Sequence, residues 1–483
     1  MTPTIFRPRR IAAALAAASA LAAGQATGAA FALQENSGSG LGNAFAGGAA
    51  AAEDASGMWS NAAALSKRPS MEAAAALHLV TPSIKFRDEG SQAAFNQPLG
   101  GTGGDAGGLN FIPNTYVVVP INRQWTFGLG INAPFGLVTE YDGDWIGRYQ
   151  GVKSAIKTIN VNPAISFKVN DMISLGFGVN WQRIDAELTS KVNYSGAIAQ
   201  AAQGAAAAGQ IPAASVPSII AATSGLDTSA KIEGDDSAWG WNIGVLADVT
   251  PSTRIGASYR SEIKYKVEGN ANFDNPTPTV PAALAPVVGL LTAGINAQAL
   301  YNSGVTSDIK LPAIANVSIF HRLNDRWDVM ADVQWTGWSS ISELKFDRTN
   351  GTTLSTTPEN FDDAWRVAVG ANYRYNDKWM FRGGIAFDQT PVNKADRTPR
   401  LPDEDRWWFS AGAQFKYSPK LKFDAGFTFI SAKDAPIEQN AGSTTSNALI
   451  KGTYDAHVTI FSVTPAASPD FDLCGSPDFD LCG

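Results

Sequence analysis

The chain has 483 residues, 45% of them hydrophobic, two cysteines and a formal charge of −7. An acidic chain without a basic patch excludes nucleic-acid binding, and two cysteines make neither a disulfide framework nor a metal motif. No run of eighteen apolar residues beyond the first thirty supplies a membrane-spanning helix. Residues 1–30 read as an export leader. Arg7, Arg9 and Arg10 form its basic start, residues 11–23 its apolar stretch, and Gly28-Ala29-Ala30 a small-residue cleavage site, with cleavage expected near Ala30 or one or two residues earlier. Removing three arginines and no acids shifts the formal charge from −7 to −10.

Residues 31–70 are rich in Gly, Ala and Ser and carry no strand pattern. Gly38-Ser39-Gly40-Leu41-Gly42 is a weak match to a dinucleotide loop, since no strand precedes it and no βαβ unit follows. A small-residue segment of this kind, placed ahead of a barrel, can fold inside the bore as a plug.

From residue 71 to 463 the chain reads as fourteen two-periodic segments. Between Arg326 and Trp335 the odd positions are Trp327, Val329, Ala331, Val333 and Trp335, and the even ones are Arg326, Asp328, Met330, Asp332 and Gln334. Between Arg254 and Val267 the apolar set is again odd, from Ile255 to Val267. Side chains alternate across a strand, so each segment has one greasy and one wet face. Short links fall at residues 121–124, 170–171, 250–252, 324–325, 376–377 and 418–419, in Asn, Asp, Pro and Ser. Long connections, such as 188–237 and 269–307, lie between them. Short turns on one side and long loops on the other predict an all-β, 14-stranded antiparallel transmembrane β-barrel, with both chain ends on the periplasmic side of a bacterial outer membrane. Trp125, Trp327, Trp338, Trp365, Trp379, Trp407 and Trp408 are candidates for its aromatic girdles. The loops hold a helical stretch at 197–208 and an apolar one at 281–300, and an exposed apolar patch marks a binding site. Residues 464–483 form a tail that ends in a tandem repeat, SPDFDLCG twice, with Cys474 and Cys482.

Catalysis needs a nucleophile with a positioned base. The three histidines, His78, His321 and His457, have no Ser-and-acid constellation, so no enzyme, cofactor or metal is expected. By alternation, Arg260, Arg366 and Arg382 point into the lumen. They could meet an anionic ligand or form a salt-bridge network with acids such as Glu262 and Asp388.

Several blocks resemble the bacterial long-chain fatty-acid transporter family, the FadL/TodX type of outer-membrane proteins. They are FALQENSGSGLGNAFAG followed by AEDAS, NAPFGLVTEYDGDWIGRY (132–149), WGWNIGVLADVTPSTRIGASYRSEI (239–263), AWRVAVGANYRYNDKWMFRGGIAFDQTPV (364–392) and LPDEDRWWFSAG (401–412). The resemblance implies a fourteen-stranded barrel (71–463) stoppered by an N-terminal hatch (31–70). It implies passive uptake of fatty acids or aromatic hydrocarbons: capture at an outer loop groove, an internal site, and hatch-gated release through the wall beside an inward-kinked strand. Position within the matching blocks makes Arg183 and Lys345 the carboxylate-binding pair. The parity of Arg183 points outward, which a bulge after Trp181 or a place above the membrane band would reconcile. With Phe31, at the head of the hatch signature, and the inward Arg260 and Arg366, these are the ligand-binding candidates. Asn61-Ala62-Ala63 stands where the family carries Asn-Pro-Ala and is the expected hatch contact with the wall. Outer-membrane lipids, lipopolysaccharide and the assembly machinery are the expected surroundings of a monomer. A general porin is the alternative of a different class.

Overall fold

The computed structural model describes residues 30–439 and 447–468, so residues 1–29 of the leader and both cysteines lie outside the described residues. Twenty strand segments form one sheet. They are β1 (Glu72–Asp88), β2 (Asn110–Pro120), β3 (Trp125–Asn132), β4 (Gly136–Glu140), β5 (Lys153–Lys168), β6 (Ile173–Asn193), β7 (Asp227–Thr250), β8 (Thr253–Arg260), β9 (Ile263–Asp274) and β10 (Ser303–Leu311). They continue with β11 (Ile314–Arg322), β12 (Trp327–Thr336), β13 (Glu343–Arg348), β14 (Thr353–Pro358), β15 (Ala364–Arg374), β16 (Trp379–Asp388), β17 (Arg406–Ser418), β18 (Leu421–Ala432), β19 (Ala435–Gln439) and β20 (Ile450–Ala467). Six α-helices accompany them among the described residues. These are α1 (Gly38–Leu41), α2 (Gly48–Ala51), α3 (Gly57–Ser60), α4 (Tyr194–Ala207), α5 (Val216–Ala222) and α6 (Ala285–Gln298).

Six staves are interrupted: β3 continues as β4, β8 as β9, β10 as β11, β12 as β13, β14 as β15 and β18 as β19. The sheet therefore has fourteen staves, all antiparallel, and β1 against β20 closes the ring with Leu77 opposite Val463. This is the barrel that the sequence pattern predicts. Closure pairs every stave with a neighbour on both sides over most of its length, as a hydrocarbon solvent requires. Two boundaries differ from expectation. β20 runs to Ala467 rather than Val463, because its ladders with β1 and β18 continue. β6 and β7 extend as a paired hairpin from Arg183 to Asn193, so much of the expected loop at 188–237 is strand.

Toward the short turns the wall is apolar outside and polar inside. Trp241, Ile243 and Val245 are exposed on β7 while Asn242 is buried, and Val317 and Ile319 are exposed on β11 while Ser318 is buried. Toward the long loops this assignment reverses. On β6 the outward face passes from Phe177, Val179 and Trp181 to Arg183, Asp185 and Glu187, and the inward face passes from Ser174 and Asn180 to Ile184 and Leu188. On the next two staves the backbone makes the reversal. Between β8 and β9, Ser261 breaks the pleat, and its Oγ accepts from Trp241 N at 2.9 Å in place of a regular ladder partner. Pro312, which lacks an N–H, interrupts the ladder between β10 and β11. A break of this kind shifts parity. Ile263, Tyr265, Val267 and Leu311 consequently turn inward and are buried, while Lys264 and Lys266 turn out. The uniform greasy face expected from Arg254 to Val267 is thus split at Ser261, because the outside changes from lipid to water above the bilayer.

Candidate functional site

Residues 30–68 run through the bore. The hatch enters beside β4, where Leu33 N donates to Pro134 O at 2.8 Å and Gly136 N donates to Phe31 O at 2.9 Å. α1 packs on β17, β18 and β20, α2 on β8 and β11, and a 3₁₀ helix (Ala62–Lys67) on β5, β6 and β7. The seat is made by inner-wall glycines. A Cβ at Gly244 would overlap the Asn61 carboxamide, and one at Gly256 would overlap the Ala49 carbonyl. The hatch backbone therefore lies flush against the strands, at a distance that only glycine allows.

Asn61 is the principal clasp. Its Nδ2 donates to Ala49 O within the hatch at 2.8 Å and to Val245 O of the wall at 2.9 Å, and its Oδ1 accepts from Ala63 N at 2.9 Å. Ala62 and Ala63 are fully buried beside it. Ala62 is the first residue of the 3₁₀ helix, where an N–H has no intrahelical partner and proline is tolerated. The Asn61 side-chain cap starts the helix without Pro, which accounts for Asn-Ala-Ala at this place.

A second set of contacts is ionic. Arg382 joins Glu53 of the hatch at 2.5 Å and Asp424 of the wall at 2.5 Å, and Asn372 Nδ2 donates to the other Glu53 oxygen at 2.6 Å. Burial alone would raise the Glu53 pKa, but Arg382 and Lys422 outweigh it and hold the carboxyl below its ordinary range. Arg254 donates to Ala50 O and Ala51 O. Arg260 stacks on Trp59 at 3.6 Å and donates to its carbonyl at 2.9 Å. Arg366 donates to Ala44 O at 2.7 Å and lies 5.0 Å from the Trp408 ring. Arg260, Arg366 and Arg382 thus face inward as their parity predicts, with the hatch as their partner. Glu35 differs: both carboxyl oxygens are buried without a hydrogen-bond partner among the described residues, as are Nε and Nη1 of Arg366. Burial pushes the Glu35 pKa up to about 7, with the nearby backbone N–H groups of Glu35 and Gln34 and the Arg366 charge only partly opposing.

Above the hatch lies a buried apolar cluster. Phe31 meets Trp338 edge-on at 4.8 Å and Phe135 at 6.0 Å, and Phe361 lies 6.1 Å from Trp338. Ile184, Ile263, Tyr265, Val267, Leu311 and Leu401 complete it. Next to the cluster, beyond Ala32 and Leu33, a small pocket is lined by the polar groups of Gln34, Asn242, Asn316, Gln334, Arg260 and Arg366. The space there is ≈ 50 Å³, room for about three or four waters. Below the hatch a cavity of ≈ 850 Å³ opens toward the short turns.

Four expectations are corrected. Arg183 keeps its outward parity without a bulge, because the β6–β7 register is unbroken, and it pairs with Asp235 at 3.0 Å. Lys345 also faces out and pairs with Asp347 at 2.9 Å. Neither reaches the lumen with Arg260 and Arg366. Glu262 is outside the lumen too, paired with Lys264 at 2.8 Å, whereas Asp388 is inside near Arg406. Trp338 and Trp408 are fully buried inside the bore, while Trp125, Trp327, Trp365, Trp379 and Trp407 are exposed on the wall as girdle residues. The signal for Trp408 was available: its neighbour Trp407 occupies the outward parity. Trp338 carried none, since it sits in a 3₁₀ turn (Trp338–Ser340) off the strand period.

Residues 19–468 match the family described as outer membrane protein transport protein (OMPP1/FadL/TodX). The chain is 31% identical over 413 residues to the long-chain fatty acid transport protein of Escherichia coli (strain K12), covering 81% of this chain and 85% of that protein. It is 30% identical over 468 residues to outer membrane protein P1 of Haemophilus influenzae (strain ATCC 51907 / DSM 11121 / KW20 / Rd), covering 93% and 97%. Among solved structures, a Pseudomonas aeruginosa FadL homologue superposes with a TM-score of 0.78 at 26% identity, covering 91% of this chain and all of that one. The Pseudomonas putida toluene transporter TodX shares the fold, with a TM-score of 0.61 at 17% identity over 86% of this chain and 94% of that one.

Proposed function

The chain belongs to the outer membrane protein transport protein (OMPP1/FadL/TodX) family, and on that premise we propose that it takes up long-chain fatty acids or closely similar hydrophobic anions. It is an outer-membrane transport channel for hydrophobic compounds and not an enzyme. The observation that carries the finer reading is that a buried apolar cluster centred on Phe31 and Trp338 adjoins a small polar pocket bearing Arg260 and Arg366. A long apolar tail suits the cluster and an anionic head suits Nε and Nη1 of Arg366, which have no hydrogen-bond partner among the described residues, whereas a neutral aromatic hydrocarbon would leave those donors unmet.

Capture begins outside. α4, α5 and α6 pack around Tyr194, Ile198, Ile219 and Val288, with Leu290 left exposed, and this apolar surface supports a role as the outer groove. The ligand then enters this inner region, where Phe31, Arg260 and Arg366 are the contacts; Arg183 and Lys345, on the outer face, have no part in this inner site. The closed polar pocket is too small for a fatty acid, so entry displaces the hatch. Release is lateral. β2 pairs with β3 from Thr115 to Pro120, but no ladder joins Asn110–Asn114 to β4, and the Phe31–Leu33 segment lies against β4 there. Withdrawal of that segment opens the wall to the bilayer.

Radiolabelled uptake in a deletion strain carrying this protein tests the reading. Oleate uptake restored above the vector control, with no gain in toluene uptake, is the expected result. Restoration of toluene uptake alone would exchange the ligand for a hydrocarbon. A large, permanently open conductance in planar bilayers would replace the transporter with a porin.

A further inference from the structure

The first described residue is held in an unusual way. Ala30 is 1% exposed, deep in the bore, and its backbone nitrogen donates to Asp403 Oδ2 at 2.9 Å. The same oxygen accepts from Thr390 Oγ1 at 2.7 Å, and the other Asp403 oxygen pairs with Arg406. Arg406 is shared, since it also lies 3.8 Å from Asp388. The neighbouring charges are matched one to one, Glu404 with Arg397 at 2.5 Å and Asp405 with Lys433 at 2.8 Å. Ala30 also has φ +51°, in the left-handed region that alanine avoids. A hydrogen bond to a neutral amide makes little use of a buried carboxylate, whereas an ammonium group makes full use of it.

We propose that the amino group created beside Ala30 by leader removal is received by Asp403, so that processing of the chain itself locks the front of the hatch into the bore. The inference requires cleavage directly before Ala30, one residue earlier than the end of the 1–30 leader read from the sequence, and does not depend on the identity of the ligand. Hydrolysis of the peptide bond adds water across it: the leader leaves with a carboxylate and the mature chain gains an amine, which is protonated at neutral pH. The new ammonium ion pairs with Asp403, with Thr390 and Arg406 as the carboxylate's other partners. Cleavage directly before Ala30 also removes the preceding carbonyl against which a left-handed alanine is strained. The ion pair fixes Ala30, and Ala30 holds Phe31 against Phe135 and Trp338. An uncleaved chain lacks this charge and seats its hatch less firmly.

The test is acetylation of the mature protein, folded in detergent, with N-hydroxysuccinimide acetate, read by mass spectrometry of the N-terminal peptide. The folded amine is expected to react at least about tenfold more slowly than in urea, with a reactivity midpoint above the ordinary α-amino range of about 7.7–8.0. Asp403→Asn is expected to bring the rate to within about threefold of the unfolded value. A folded amine that reacts at the unfolded rate, or an Asp403→Asn protein that stays as protected as the wild type, overturns the proposal. So does an intact mass that retains the leader or that starts at Phe31. Should Asp403→Asn fail to assemble, the wild-type rate and midpoint decide by themselves.

Discussion

Arg382 of the wall and Glu53 of the hatch form a buried ion pair at 2.5 Å, and the Arg382 side chain has no exposure to solvent. The pair joins the hatch to the barrel wall. Breaking one partner of a buried pair costs roughly 3–5 kcal/mol. Glu53→Ala should therefore loosen the hatch and leave the barrel intact. The expected outcome is faster proteolytic nicking near residues 50–60 and a measurable leak conductance, with unchanged heat-modifiable mobility. An unaltered nicking rate would show that the pair does not hold the hatch.

Asn61 should behave as a clasp with two parts. Asn61→Ala removes three hydrogen bonds, one of them to the wall, at about 1 kcal/mol each. Ala62→Pro should be tolerated and tighten the hatch by about 0.4–1 kcal/mol, because it stiffens the freed segment at a helix start that fits proline. Native-state proteolysis of the hatch should slow for Ala62→Pro and speed up for Asn61→Ala.

Locking the hatch should stop transport. Asn61→Cys with Gly244→Cys places two thiols where the glycine Cβ would already meet the Asn61 side chain, within reach of a disulfide. Oleate uptake should fall to background when the pair is oxidised and recover on reduction. Normal uptake in the oxidised double mutant would remove the hatch from the transport route.

The hatch should seat more firmly in mild acid. Glu35 has its pKa raised from 4.5 to about 7, so the folded hatch binds the proton more tightly than the free segment does. The seated state bears no penalty below about pH 4.5. It loses stability as pH rises from there toward 7, by on the order of 3 kcal/mol. Nicking of the hatch should accelerate over that window, and Glu35→Gln should flatten the profile. Arg366 and Asp388 are the charged neighbours of Glu35, and Asp332 faces Arg366 in turn.

Inner and outer cations should separate cleanly in binding assays. Trp338→Ala and Arg366→Met should each weaken oleate binding about tenfold or more, the first through lost apolar contact and the second through the lost charge. Arg183→Ala and Lys345→Ala should leave affinity within about twofold. Loss of binding in the latter pair would move the head-group site to the outer rim.

The chain's order of side chains was enough for the barrel. Alternation from Trp327 to Trp335, tight turns at Asn324-Asp325 and Asn376-Asp377, and long loops between them dictate strand number and direction, because period, turn chemistry and loop length are local properties. The inward course of Arg260, Arg366 and Arg382 was legible for the same reason. The placement of Ile263, Tyr265 and Trp338 was not. It depends on where the membrane ends and on breaks at Ser261 and Pro312 that shift parity across adjacent staves, and parity cannot be carried past such a break from one strand alone. Likewise no local pattern joins Glu53 to Arg382, Asn61 to Val245, or Ala30 to Asp403. Those contacts exist only once the ring has closed around the hatch and excluded the water that would otherwise compete for them.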